Sequence, residues 1–435
     1  MRKVLAFVLL CFFISGTFLT VFSSVSTSDS SEASWSSQTS MNDPRSDLGV
    51  VVVEGKIYAI GGGASVASPG SVGRGFVGIN ECYDPVSDTW IVLKSMPTPR
   101  GNFIIVTCQG KIYCIGGADG TIYPLGPPVL RPLDIVEVYD PATDMWESKA
   151  SLPIYVQQSM QVQVVNEQIF IITPDGELYM YNTLTDKWST KAHLTNQEKP
   201  LQSLVINEQL FVITQNAMYL YDPTTDSWIT TTNMPTSMVY AFSDVMDNKI
   251  IVGDFLLTPS TEPIWMGLFS AQLQVRIYDP TVDVWYDGET TDECIFATNP
   301  IFMAVTVTMT SGVYAPANVY VLGLKATKEN LMNVQPFTWV YDPESDVWST
   351  AKIVDTAPYS RGCKLVVVDD VFYIIGGAVN VKYIPVGYNP QGYHDAQPSA
   401  LTWSIEIATV LIVGIVIISL FFYLRKKRRK RRKYD

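Results

Sequence analysis

Six times this chain repeats the octapeptide pattern Tyr-Asp-X-X-X-Asp-X-Trp, with Asn for the first Asp in the third copy, over residues 83–90, 139–146, 181–188, 221–228, 278–285 and 341–348. Successive copies start 40 to 63 residues apart. Self-similarity at that period marks stacked supersecondary units, none of which can bury its apolar faces alone. A second element recurs upstream: Lys56-Ile-Tyr-Ala-Ile-Gly-Gly62, Lys111-Ile-Tyr-Cys-Ile-Gly-Gly117 and Val371-Phe-Tyr-Ile-Ile-Gly-Gly377, with glycine-poor versions at 168–173 and 209–214.

Together the two elements read as one four-stranded antiparallel sheet. An apolar run such as 50–53 or 103–106 meets Glu54-Gly55 or Gln109-Gly110, then an alternating Lys-Ile-Tyr-X-Ile strand; Gly as second residue of a two-residue hairpin supplies the positive φ needed there. The pairs Gly61-Gly62, Gly116-Gly117 and Gly376-Gly377 end strand two where the chain turns tightly against a neighbouring backbone. Strand three runs into Tyr-Asp-Pro, in which the Asp can accept nearby backbone N–H groups and Pro fixes φ. The tryptophans Trp90, Trp146, Trp188, Trp228, Trp285 and Trp348 open strand four, each expected to bury its ring between adjacent sheets.

These residues resemble the kelch repeat over about residues 33–395. Blades three to six lack the Gly pair, and Asn182-Thr183 replaces Asp-Pro in the third copy. Seven hairpin elements face only six tryptophan units, because Tyr388-Asn389-Pro390 runs on without a Trp. At the other end, Trp35 precedes Met41, Pro44 and Arg45 by the offsets that separate Trp90 from Met96, Pro99 and Arg100. The expected fold is therefore an all-β, seven-bladed kelch-type β-propeller closed by an N-terminal outer strand, which covers sheet edges that would otherwise stay open.

The chain ends predict location. Arg2-Lys3 and the uncharged run 4–22 look like a secretory signal, assigned to 1–26 and either cleaved near 23–26 or retained; a Ser-rich linker at 27–34 leads into the propeller at 35–395. After a juxtamembrane linker at 396–406, residues 407–424 are uninterruptedly apolar or small, about 27 Å of helix and enough to span a bilayer. Nine consecutive basic residues at 425–433 begin a tail, 425–435, that the positive-inside rule makes cytoplasmic, with the propeller outside the cell membrane. The basic run is read as an anchor on anionic lipid.

Of 30 basic and 42 acidic residues, 19 and 40 remain once Arg2, Lys3 and residues 406–435 are set aside, a net charge of −21. Such a field excludes nucleic acid as a partner class and favours a cationic one. Five cysteines (Cys82, Cys108, Cys114, Cys294, Cys363) lie outside the membrane, an odd number without C-X-X-C, so disulfides are not implied. The only histidines, His193 and His394, are far apart in the repeat scheme, which argues against a copper site like that of the galactose oxidases. Recurrence of Asp84 and Asp88 in every copy points to turn capping rather than calcium, and Gly61-Gly62-Gly63 lacks the helix and the Lys-Ser/Thr of a phosphate loop. No cofactor, metal or catalytic residue is expected.

Strand order nominates a working face. Turns between strands one and two and between three and four share one side and are short, apart from blade six at 310–317; two-to-three loops and inter-blade connections share the other and carry insertions at 63–80, 118–134, 254–274 and 324–336. Blades three and four lack them, so a horseshoe open on that side is expected. Arg45, Arg100 and Arg361 enter neighbouring blades one, two and seven on this side, either bracing backbone or forming a positive patch for an anionic group, with Tyr123 and Trp265 as stacking surface. The expected function is that of a membrane-anchored extracytoplasmic interaction or adhesion module for a protein or glycan; the alternative is an extracytoplasmic propeller enzyme acting on sugars or peptides, of epimerase, oxidase or hydrolase type.

Overall fold

The computed structural model describes residues 33–392, apart from 65–73, 123–128, 157–159, 195–197, 236, 239–241, 260–268, 292–294, 298–305, 328–329 and 352–362. The expected signal segment, the 407–424 span and the basic tail lie outside these residues. Among the described residues no helix is long and apolar enough to cross a membrane.

Seven antiparallel sheets are arranged as blades. Blade 1 is Gly49–Val53, Lys56–Ile60, Asn80–Asp84 and Thr89–Leu93, paired in that order, and blades 2, 3 and 4 repeat the scheme from Ile104–Cys108, Gln161–Val165 and Gln202–Ile206. Blades 5 and 6 start at Phe242–Met246 and Thr306–Met309. Blade 7 takes Lys364–Val368, Val371–Gly376 and Val379–Ile384 from the C-terminal part and Ser34–Ser37 from the N-terminal part, the latter paired antiparallel with Trp35 opposite Tyr383. The ring is thus closed by the N-terminal strand, and the fold is an all-β seven-bladed propeller.

Seven apolar clusters, one per blade junction, hold the ring together. Their physical origin is the alternation of strand two. In blade 1, Ile57 and Ala59 face blade 7 whereas Tyr58 and Ile60 face blade 2, so both faces of the strand are apolar and buried.

A hydrogen-bonded clamp repeats at the outer rim. Asp144 Oδ1 accepts the Tyr139 hydroxyl at 2.8 Å and the Lys94 N–H at 2.9 Å, and Trp146 Nε1 donates to the Lys94 carbonyl at 2.7 Å. One residue of the preceding blade is held by both of its peptide groups. The same clamp grips Thr39, Ala150, Ala192, Thr232 and Glu289, using Asp88, Asp186, Asp226, Asp283 and Asp346 with the following Trp. Each clamped residue from Thr39 to Glu289 lies four positions after its own blade's tryptophan, Trp35 included. The two aspartates of the repeat therefore differ in role. Asp84 caps its own turn through the Val86 N–H, as expected, whereas Asp88 staples one blade to the next. The clamp aspartates adopt positive φ, 52° at Asp88, a conformation Asp tolerates better than most residues.

Two expectations are corrected. The tryptophan is only half-buried, because strand four is the solvent edge of its blade; the fully buried ring is the repeat tyrosine, with Tyr83, Tyr139 and Tyr181 at 0% exposure. In blade 7 the tyrosine position belongs to Tyr383, which faces Trp35 at a ring separation of 4.8 Å, and not to Tyr388. Ala33 stands where a clamp aspartate would be, and among the described residues the Tyr383 hydroxyl has no hydrogen-bond partner. The long blade 6 turn compensates at this junction: the buried Asp370 carboxylate accepts the N–H groups of Ser311, Tyr314 and Ala315.

The clamps predict an acid limit. Hydrogen bonds from the Lys94 amide and the Tyr139 hydroxyl hold Asp144 below its ordinary value of 3.8, and Asp186, Asp226 and Asp283 are lowered likewise by their tyrosine and backbone donors. A depressed carboxylate contributes stability that is complete above its unfolded pKa and is lost as pH falls through the folded one. The melting temperature is expected to be unresponsive to these groups above about pH 5 and to fall steeply below about pH 4. Asp144→Asn should flatten that acid limb in a thermal-melt series; an unchanged limb would separate the clamp from acid stability.

Candidate binding face

Arg45 and Arg100 do sit on the insertion-bearing side, at equivalent positions in blades 1 and 2. Neither is exposed: both are at 0%. Arg45 donates from Nε to the Gly61 carbonyl at 2.8 Å, from Nη2 to Ala59 at 2.7 Å, and from Nη1 to the Asp43 carbonyl and the Glu81 carboxylate. Arg100 does the same with Gly116, Cys114, Thr98 and Glu137. All the donors of each fork that face the protein are spent on backbone carbonyls and one carboxylate, so neither guanidinium is available to a ligand. The patch expectation is corrected for these two residues, and bracing is their role. Arg361, Tyr123 and Trp265 lie outside the described residues.

The glycine pairs belong to the same device. Gly62 N–H donates to the Arg100 carbonyl at 3.0 Å, and Gly377 N–H to the Arg45 carbonyl at 2.8 Å, so these two pairs hold the arginine segment of the following blade. A methyl group on Gly61 would lie 2.6 Å from the Arg100 carbonyl oxygen, and Gly61 itself has φ 64°, so only glycine fits. The first glycine of a pair also gives its carbonyl to the arginine of its own blade, Gly61 to Arg45 and Gly116 to Arg100, so pair and arginine occur together in blades 1 and 2. Glu81 and Glu137 were missed by the sequence reading. Their signal was present: a Glu two residues before the repeat tyrosine in only those two Tyr-Asp units whose blade is entered through an Arg.

Blade 5 inverts the arrangement. Arg276 takes the position of Glu81 and Glu137, is 2% exposed, and donates from Nη2 to Gln274 at 2.6 Å, while Asp287 lies 3.4 Å from Nε.

The described insertions rise in two groups. Between blades 1 and 2, Ala118–Ile122 pairs on one edge with Arg74–Gly75 from the blade 1 insertion and on the other with Val129–Pro132, which is exposed along its length. This three-stranded crown ties the two insertions together. Over blades 5 and 6, strands two and three extend to Lys249–Pro259 with Phe269–Asp279 and Val319–Thr327 with Asn330–Asp342. Ile295–Ala297, from the connection between these blades, bridges the two hairpins. Blades 3 and 4 turn within 173–177 and 214–217 and stay low, as expected. Blade 7 is equally short there, with only Gly377-Ala378 between its second and third strands. The relief is thus two walls rather than a single horseshoe.

Cys82, Cys108 and Cys114 are buried free thiols. Burial raises Cys82 and Cys108 and pushes Cys114 up to about 12, so none of these three is an activated nucleophile.

The kelch motif model matches residues 44–97 and 99–153, the first two blades with their entering segments. Among similar proteins, Kelch-like protein 25 of Xenopus tropicalis is 26% identical over 48% of this chain and 36% of its own length. Kelch-like protein 28 of Homo sapiens is 36% identical over 21% of this chain and 16% of its own. Beta-scruin of Limulus polyphemus is 24% identical over 72% of this chain and 28% of its own. The chain spans little more than a third, at most, of the length of these relatives. A solved structure, that of YjhT, aligns with a TM-score of 0.42 at 12% identity, covering 72% of this chain and 99% of its own.

Proposed function

We infer that this chain, a kelch-repeat propeller, works as an interaction module that engages a protein or glycan partner through its insertion-bearing face while its apolar segment at 407–424 anchors it to a membrane. Kelch propellers are typically protein-interaction modules. The observation that carries the reading is the uneven relief: two raised walls on one face of a rigid ring whose opposite face is built almost wholly of two- and four-residue turns.

Chain direction supports the anchored geometry. Val379–Ile384 runs toward the short-turn face and Ser34–Ser37 starts from it, so both ends of the described propeller emerge on that face. A span beginning at 407 would then leave the insertion-bearing face pointing away from the bilayer. The basic run at 425–433 favours a cytoplasmic tail, and the remaining charge of −21 favours a cationic partner surface.

Replacing residues 118–132 with a two-residue turn like that of blade 7 is expected to abolish capture of the partner by a soluble 27–400 fragment, with little change in melting temperature. On intact cells, added protease should remove the propeller and spare a tag after Asp435. Undiminished capture by the trimmed ring would sink the binding-face reading, and a protected propeller would sink the topology.

A further inference from the structure

The short-turn face carries one built exception to its flatness. Between blades 5 and 6 it opens into a cavity of about 1100 Å³. One wall is the turn of blade 5 and the other is the long blade 6 turn. That turn is drawn toward blade 7: Asp370 takes its amides, and the Tyr314 carbonyl accepts the Asn389 N–H at 2.7 Å. Residues so held cannot fold back over blade 5, and the cavity is therefore preformed.

Its chemistry is two-part. Met246, Ile251 and Ile277 supply an apolar floor, flanked by Pro316 and Ala317. Asp247 and Glu344 stand exposed at the rim, their carboxylates with no hydrogen-bond or ion-pair partner among the described residues. The Asp342 carboxylate is already occupied by the Glu344 N–H and the Ser345 hydroxyl. Among the described residues of the lining the single cation is Lys249, exposed to solvent and outnumbered by the three carboxylates of Asp247, Asp342 and Glu344. The mouth is thus negative and the interior apolar. An aliphatic stem with a cationic head matches both parts, since the stem buries methylenes and the head stays at the wet rim.

We propose that the blade 5–blade 6 cavity is a second interaction site, independent of the insertion-bearing face, that receives a lysine or arginine side chain from a segment of a partner protein.

The test uses the full chain in detergent and a fluorescein-labelled Gly-Ser-Lys-Leu-Arg-Ser-Gly peptide, with its Lys and Arg replaced by Glu as the matched control. Fluorescence anisotropy should show saturable binding of the basic peptide alone. Asp247→Asn with Glu344→Gln, which removes charge without changing shape, should weaken it at least tenfold, and Ala317→Trp, which fills the cavity, should do the same. Glu54→Gln with Glu208→Gln, in the turns of blades 1 and 4 on the same face, should leave affinity unchanged. Melting curves recorded alongside identify any variant whose loss reflects unfolding. Absence of saturable binding to the intact chain, equal weakening by the blade 1 and blade 4 pair, or unchanged affinity in the cavity variants would each overturn the proposal.

Discussion

Removing residues 27–43 is expected to open the ring and lower the melting temperature by at least about 10 °C. The deletion takes away strand four of blade 7, whose Trp35 packs on Tyr383 and whose register with Val379–Ile384 is fixed over four residues. It also removes Met41, at 3% exposure in the cluster between blades 7 and 1, and Thr39, the residue gripped by Asp88 and Trp90. Losing two large apolar side chains from packed positions costs several kcal/mol. The edge of blade 7 would also be left unpaired and prone to associate with other chains. This closure is noncovalent over its whole length, so a synthetic peptide of residues 27–43 should restore the melt. A truncated protein that melts like the intact one would defeat the closure.

Why that strand could be found from the sequence, and other features could not, has a physical basis. Blade count and closure depend on residues with few substitutes: a Gly at positive φ, a Trp that must reach the preceding blade's carbonyl, and fixed offsets from Trp35 to Arg45. The binding face depends instead on where polar side chains end up. Arg45 and Arg100 read equally well as braces or as ligand contacts until Glu81 and Glu137 are seen beside them. The clamp aspartates looked like turn caps because the partner of Asp88, Thr39, is 49 residues away and belongs to another blade. By sequence Tyr388, which precedes Asn-Pro, matches the seventh repeat tyrosine. Strand pairing gives the role to Tyr383, which has no Asp-Pro after it since its turn is replaced by the junction of the two chain ends. The loop at 310–317 was legible only as an irregular length; that it both secures the junction lacking a clamp and shapes a cavity follows from Asp370, an acid in a hairpin turn like many others.

Arg45→Ala and Glu81→Ala are each expected to destabilise the propeller by about 3–5 kcal/mol, and Arg45→Met with Glu81→Leu by less than either single change. The two side chains are both at 0% exposure, so deleting one leaves a charge in the interior with no counterion. The losses are unequal in kind. Without Arg45, the carbonyls of Asp43, Ala59 and Gly61 lose their donor, which detaches the entry segment of blade 1 from the end of its second strand. Without Glu81, the Asn42 N–H loses its acceptor, while Arg45 keeps its three carbonyls and becomes an unneutralised cation. Replacing both by apolar groups removes the charge problem and leaves only the orphaned backbone groups, each costing about 1–3 kcal/mol where water cannot reach. A double-mutant cycle followed by denaturant unfolding should therefore give a coupling of at least about 2 kcal/mol. Additive losses would mean that the pair is not a unit. The same cycle at Arg100 and Glu137 should give a similar value, because the arginine contacts repeat those of Arg45 bond for bond, while Glu137 accepts from the Thr98 N–H and hydroxyl where Glu81 accepts the Asn42 N–H.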